Sequence, residues 1–190
     1  GISYLLILIG FVGWLSGFLI TMEAISIDQE LPWGDSQGFM VDGDGMVYVG
    51  SGFYGVVQIY DSTGMFLHHF PARAGGGNFQ LERDSIARVA IVTSRGHDRF
   101  TVDHTGKILQ SQKHEQDLTN SDAVISHKGD VYEMGNSFFP SLDRNGQPFI
   151  TQDALLTLIS GPFPVIIYAL AGMVLNVYLR KDSWNIKGKG

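Results

Sequence analysis

The chain of 190 residues contains no cysteine, which excludes a disulfide scaffold, a thiolate nucleophile, a zinc ribbon and an iron–sulfur ligand set together. Charge is scarce. Asp, Glu, Lys and Arg make up 17% of the residues, against roughly 25% in ordinary soluble domains, which excludes a disordered polyampholyte. The net charge of −6 lacks the basic footprint that a nucleic-acid partner requires. No H-E-x-x-H stretch occurs, so that metallohydrolase motif is missing too. What the chain has in quantity is apolar weight: 44% hydrophobic and 12% aromatic.

That weight is unevenly placed. Gly1 to Met22 (GISYLLILIGFVGWLSGFLITM) carries no charge. At 1.5 Å per residue the run spans about 33 Å, enough for a bilayer core of about 30 Å. It has no basic leading region and exceeds a usual signal-peptide core, which points to a retained span. Gly161 to Leu179 (GPFPVIIYALAGMVLNVYL) is also uncharged and long enough to cross. Arg180, Lys181, Lys187 and Lys189 follow it, opposed only by Asp182. The first run is followed by Glu23, Asp28, Glu30 and Asp35, with no cation before Arg73. Cations stay on the cytoplasmic side, so both termini are expected inside and residues 23–160 outside, in the periplasm of a bacterium. Residues 23–154 hold 18 acids and 9 bases, a net −9, whereas the tail from Arg180 carries +3. Trp33 and Trp184 flank the two runs, where an interfacial indole belt is expected, and Trp14 lies inside the first.

Neither run has an ionisable group in its middle, which argues against transport or proton relay. Gly10, Gly13 and Gly17 lie close to one face of the first helix and form a candidate helix-packing surface. Asp153-Ala-Leu-Leu-Thr-Leu-Ile159 reads as a short interfacial helix capped by Asp153. The expected order is a span over 1–22, an interfacial linker over 23–37, a β-rich extracytoplasmic domain over 38–152, a short helix over 153–160, a span over 161–179 and a basic tail over 180–190.

The middle region repeats itself. Asp61-Ser-Thr-Gly64, Asp103-His-Thr-Gly106 and Asp143-Arg-Asn-Gly146 recur at intervals of 42 and 40 residues. Asp42-Gly-Asp-Gly45-Met-Val-Tyr48 matches Ser126-His-Lys-Gly129-Asp-Val-Tyr132 at an offset of 84, twice the first interval. The middle copy lacks that glycine turn but keeps a strand-like run, Arg88 to Thr93. Asp opening such a turn bonds its own backbone two residues on, and Gly closing it takes the positive φ. Short strands joined by these turns give about four per unit, the period of a propeller blade. Gly38 to Phe70 resembles one NHL-type blade: a strand, an Asp-x-x-Gly turn, Val-Tyr-Val, an aromatic loop, Gln-Ile-Tyr-Asp, a second turn and a last strand.

The resemblance covers about residues 38–152 and fades in the middle copy. It implies a propeller-like stack of antiparallel sheets between two membrane helices, in a family used mainly for binding proteins and ligands. A minority of NHL-related propellers are metal-dependent lyases or hydrolases, but no histidine set maps onto theirs here. Propellers generally have four to eight blades, and three units do not close such a ring. Two chains contributing three units each, a partner over the open edges, or an open stack are the alternatives, because bare sheet edges invite association.

Candidate chemistry is thin. Asp42 and Asp44 could offer two carboxylates to Ca²⁺, though the further ligands of a calcium loop are missing and turn formation is the simpler role. His68 and His69 are neighbours on one strand, so they face opposite ways and cannot share a metal. His104 and His127 fall in expected turns and are expected to be solvated. Gly75-Gly76-Gly77 has no Lys-Ser/Thr or helix start after it, so it reads as a connecting loop and not as a phosphate loop. No catalytic residue, cofactor or metal is expected. The sequence points to a non-catalytic accessory or scaffold subunit of a larger membrane complex, with Phe53, Tyr54, Phe138 and Phe139 as aromatic anchors for the other subunits. A receptor for a soluble ligand or partner, and a membrane-tethered metal-dependent hydrolase or lyase, remain as alternatives.

Overall fold

The computed structural model describes residues 1–21, 28–33, 35–84, 88–114, 118, 124–135 and 140–187. Among them, three four-stranded antiparallel sheets follow one another along the chain, each an unbroken meander. The first holds β1 (Ser36–Val41), β2 (Val47–Ser51), β3 (Val56–Tyr60) and β4 (Phe66–Pro71). The second holds β5 (Phe79–Arg83), β6 (Val89–Thr93), β7 (Asp98–Val102) and β8 (Ile108–Lys113). The third holds β9 (Val124–His127), β10 (Asp130–Met134), β11 (Ser141–Arg144) and β12 (Gln147–Thr151). The opening strands converge, with β1 against both β5 and β9, and exposure rises outward to β8. This is the radial layout of propeller blades.

The Asp turns explain the hairpins of the first two sheets. Asp61 Oδ1 accepts the N–H groups of Thr63 and Met65 at 2.8 and 3.0 Å, and Asp103 Oδ1 accepts those of Thr105 and Lys107 at the same distances. Gly64 and Gly106 supply the positive φ, +87° and +79°. Asp42 repeats the pattern with Asp44 and Met46. Asp84, not singled out in the sequence, does the same for the middle copy by accepting the Arg88 N–H at 3.0 Å.

The third sheet departs from the expected register. Its first and last hairpins are closed by the two-residue loops Lys128-Gly129 and Asn145-Gly146, with positive φ at both positions of each loop. That is the primed turn favoured by Asn-Gly. Asp143 therefore lies within β11 opposite Pro148 and opens no turn.

The first sheet is in the middle of the stack. Met40, Tyr48, Val57 and Ile59 pack with Phe79, Leu81 and Ile91 of the second sheet. Their neighbours Phe39, Val41, Val47 and Val49 pack with Tyr132, Leu142 and Ile150 of the third. Alternate side chains thus serve opposite partners, and β2 and β3 are buried along their whole length. The β3–β4 turn seats on the third sheet, where a Cβ at Gly64 would lie 2.9 Å from the Phe149 carbonyl. The β7–β8 turn seats on the first sheet, with Gly106 against the Phe70 ring. At Gly146 an added Cβ would meet none of the described residues within 4 Å.

The described residues also form three helices: α1 (Ile2–Thr21), α2 (Ala154–Ser160) and α3 (Pro162–Lys187). Asp153 Oδ1 accepts the Leu155 N–H at 2.7 Å at the start of α2. Helix α3 runs past the expected end at Leu179 to Lys187. No Gly or Pro interrupts that stretch, and cations suit a helix C-terminus. Helix α1 is long and apolar enough to cross a membrane, whereas the apolar part of α3 covers Pro164–Leu179.

A strap over residues 30–33 ties the helices to the first sheet. Gln58 accepts the Leu31 N–H at 2.7 Å and donates to the Leu31 carbonyl at 2.8 Å, so a buried side chain replaces a missing strand. Trp33 is not at an interface but in the core at 0% exposure, because its indole N–H finds the Tyr60 hydroxyl at 2.8 Å. Replacing Gln58 by Met keeps the volume but orphans two buried backbone groups, each worth about 1–3 kcal/mol. Denaturant unfolding followed by Trp fluorescence should show a loss of about 2–4 kcal/mol.

Candidate functional site

Helices α1 and α3 pack antiparallel through small residues. A Cβ at Gly10 would lie 2.7 Å from the Ala169 Cβ, and one at Gly172 would lie 2.8 Å from the Ile7 nitrogen and the Ser3 carbonyl oxygen. Gly13 faces Val165. Backbone contact of this kind needs glycine. The glycine row is divided, however, because Gly17 receives the ring of Phe53 from the β2–β3 loop. Away from these contacts the helix pair presents apolar side chains outward: Leu8, Phe11 and Val12 on α1 and Ile167, Leu170 and Val174 on α3 are each about half exposed or more.

The β2–β3 loop is the socket for α1. The Thr21 hydroxyl donates to the Phe53 carbonyl at 3.1 Å. Tyr54 packs with Ile20, Leu31 and Val56 and is 2% exposed; burial pushes its phenol up to about 12. Phe53 and Tyr54 thus join α1 to the first sheet of the same chain, which leaves Tyr54 no face for another protein. Phe138 and Phe139 lie outside the described residues.

The opposite rim, about 17 Å away along five-residue strands, carries the Asp turns. Between the first two sheets it holds a cleft of about 610 Å³ lined by Asp42, Asp44, Tyr48, Arg88, Asp103 and His104. Both oxygens of Asp42 already accept bonds, Oδ1 from the turn and Oδ2 from the Tyr48 hydroxyl at 3.1 Å. Burial, then the Asp42 charge, raises the Tyr48 phenol. Asp42 therefore has the role of a turn former, and among the described residues no cluster of three His, Asp or Glu converges on a metal-sized site. At Asp61 and Asp103 the hydroxyl and amide donors of the turn hold the carboxyl below its ordinary value, so these turns stay charged.

The histidines separate. The His68 ring is 2.8 Å from the His104 carbonyl oxygen, so Nε2 donates across to the second sheet's turn. His69 is half-buried on the other side of β4, and burial lowers its pKa. His127 was expected in a solvated turn; the two-residue loop begins one position later, and its ring is buried between sheets at 7% exposure. Burial, then Lys128 and Arg83, lowers its pKa as well. Gly75 and Gly76 both have positive φ in the loop joining the first two sheets.

Sequence comparison matches the chain to no family model and to no curated protein. Among solved structures it is similar to one titled "Streptogramin B lyase structure", at 11% identity and a TM-score of 0.39, over 62% of this chain. The chain spans 42% of the length of that structure.

His69 and His127 are held towards the neutral form in the fold. Their contribution to stability is complete above the ordinary histidine value near 6.5 and is lost as pH falls through the lowered folded values. The depressed Asp groups act only in a separate, more acidic window below about 4. Melting of the full chain in detergent should therefore occur at lower temperature at pH 5 than at pH 8. Changing both histidines to Gln should flatten that dependence; an unchanged slope would remove these two as its source.

Proposed function

We propose that this chain is a non-catalytic accessory or scaffold subunit of a larger membrane complex, built from NHL-type blades on a two-span hairpin. The observation that carries this reading is the antiparallel helix pair with its uncovered apolar flanks. A 16-residue apolar stretch, Pro164–Leu179, is about 24 Å long, a little short for a span alone. Pairing with α1 brings it to the same depth, and charged residues beyond it reach the interface by snorkelling. On this reading both termini are cytoplasmic, by the cation bias of the tail, and the β-domain is extracytoplasmic.

The rest of the molecule agrees with a role in assembly. Asp42, Asp61 and Asp103 are engaged in turns and Glu30 in the strap. The outer strand β8 and the turn at Gly146 are left free of the inter-sheet contacts made at Gly64 and Gly106, which gives a partner, or a second copy completing the ring, somewhere to sit. A receptor is the second reading, favoured by the acidic cleft at the far rim.

Affinity purification in mild detergent separates the two. A scaffold brings other integral membrane subunits in fixed stoichiometry, and a receptor comes free. Topology is checked separately in intact cells: Cys introduced at Ser62 should react with an impermeant thiol reagent and Cys at Ser183 should not. The reverse labelling would overturn the orientation, and a monomer with turnover of its own would overturn the scaffold.

A further inference from the structure

A cleft of about 940 Å³ lies where α1 meets the rim of the first two sheets. Its two walls differ in chemistry. One is Trp14 and Phe18, a helical turn apart on α1, stacked at 5.8 Å between ring centres and each about half exposed. The other is polar: Arg73, the Gly75–Gly77 loop, Asn78 and Arg95. Asp35 is its one carboxylate among the described residues.

Both arginines are placed in unusual ways. Arg73 sits at φ +56°, a conformation that crowds any residue with a Cβ. Its exposed guanidinium makes no hydrogen bond or ion pair with any described residue. Arg95 reaches across to donate to the Gly75 carbonyl at 3.0 Å, which holds its charge beside the glycine loop and leaves its other donors available. A fork of five N–H groups is suited to a phosphate group. If α1 spans the bilayer, Thr21 marks its outer end and Trp14 lies about 10 Å deeper, at the level of the upper acyl chain. The cleft then has cations at head-group height and aromatic rings at chain height.

We propose that this cleft binds an anionic phospholipid, with Arg73 and Arg95 holding the phosphate and Trp14 and Phe18 lining the chain. The proposal rests on the reading of α1 as a span. A free phosphate ester would satisfy the arginines but leaves the half-exposed aromatic wall without a purpose, so the lipid is favoured. Asp35 opposes any anion and sets an internal control.

Trp14 is a built-in reporter. The full chain is placed in phosphatidylcholine nanodiscs containing a small fraction of brominated-chain phosphatidylglycerol or, at equal fraction, brominated-chain phosphatidylcholine, with Trp14→Phe giving the background. Trp14 should report about fivefold enrichment of the anionic lipid, the scale expected for one or two cations at a head group. The double variant R73Q/R95Q should abolish the enrichment while both lipids still quench. D35N, which leaves both arginines intact, should increase it. Equal quenching by the two lipids in the wild type, or enrichment that survives R73Q/R95Q, overturns the lipid site and leaves the span reading standing. No quenching by either lipid overturns the span reading and the site with it. If inorganic phosphate removes the enrichment and binds the detergent-solubilised protein in an arginine-dependent way, a soluble phosphate is the ligand and the lipid is wrong.

Discussion

Residues 30–33 run over the first sheet, and how that short run is satisfied governs where the chain is tied to that sheet. A buried extended segment without a strand partner leaves its backbone polar groups unpaired. Gln58 bonds both sides of Leu31, while Gln152 accepts the Trp33 N–H at 3.0 Å. Glu30 then gathers the Tyr60 hydroxyl and the Gln152 amide on one oxygen, each at 2.7 Å. Residue 30 lies between α1 and β1 and residue 152 just before α2, so one network ties the approach to the first sheet to the start of the later helices. Helices joined to the same patch of one sheet are brought side by side, and the glycines at 10 and 172 allow the resulting contact to reach backbone distance.

The same sheet also determines the shape of the β-domain. Both of its faces are occupied, one by the second sheet and one by the third, so the order in space is third, first, second. Two successive turns show a common rule, each resting on the outer strand of the neighbouring sheet, at Gly64 and at Gly106. The third turn has the positive φ of its counterparts but no neighbour among the described residues. An arc with one turn free and one outer strand free is a different object from a small closed ring. It has a definite direction, and further sheets would add to it at known places.

Much of this was legible in the sequence, and the exceptions share a cause. Repeats of Asp and Gly predicted four strands per unit because the turn chemistry is local: an Asp carboxylate needs only the next few amides. That is also why the third unit misled. Asp143-Arg-Asn-Gly146 has the letters of the longer turn, but Asn145-Gly146 alone makes a tighter one, and the choice depends on where β10 places its register. Trp33 and His127 were misjudged for a related reason, since each is buried by residues distant in sequence. Phe53 and Tyr54 were recognisable as anchors, but what they anchor is α1 of their own chain. Asp84 could have been found from its spacing to Arg88, which repeats that of Asp42 to Met46 once the missing glycine is disregarded. The cleft at the helix junction had no signal at all, because Trp14, Arg73 and Arg95 come from three separate stretches.

The two rims of the β-domain present different groups, and this gives them different physical tasks. The far rim collects Asp42, Asp61, Asp84 and Asp103, whose carboxylates are fixed in position by the turns they close. Such charges lose little entropy when a partner arrives, and a site with that property favours orientation and encounter rate over raw affinity. The near rim presents Arg73 and Arg95 beside aromatic rings; were α1 a span, the low-dielectric boundary there would strengthen any contact with an anion. The turn at Gly146 belongs to the far rim with its counterparts at Gly64 and Gly106, so a further sheet added there by the same rule would bring its own outer strand to the rim that carries the fixed carboxylates.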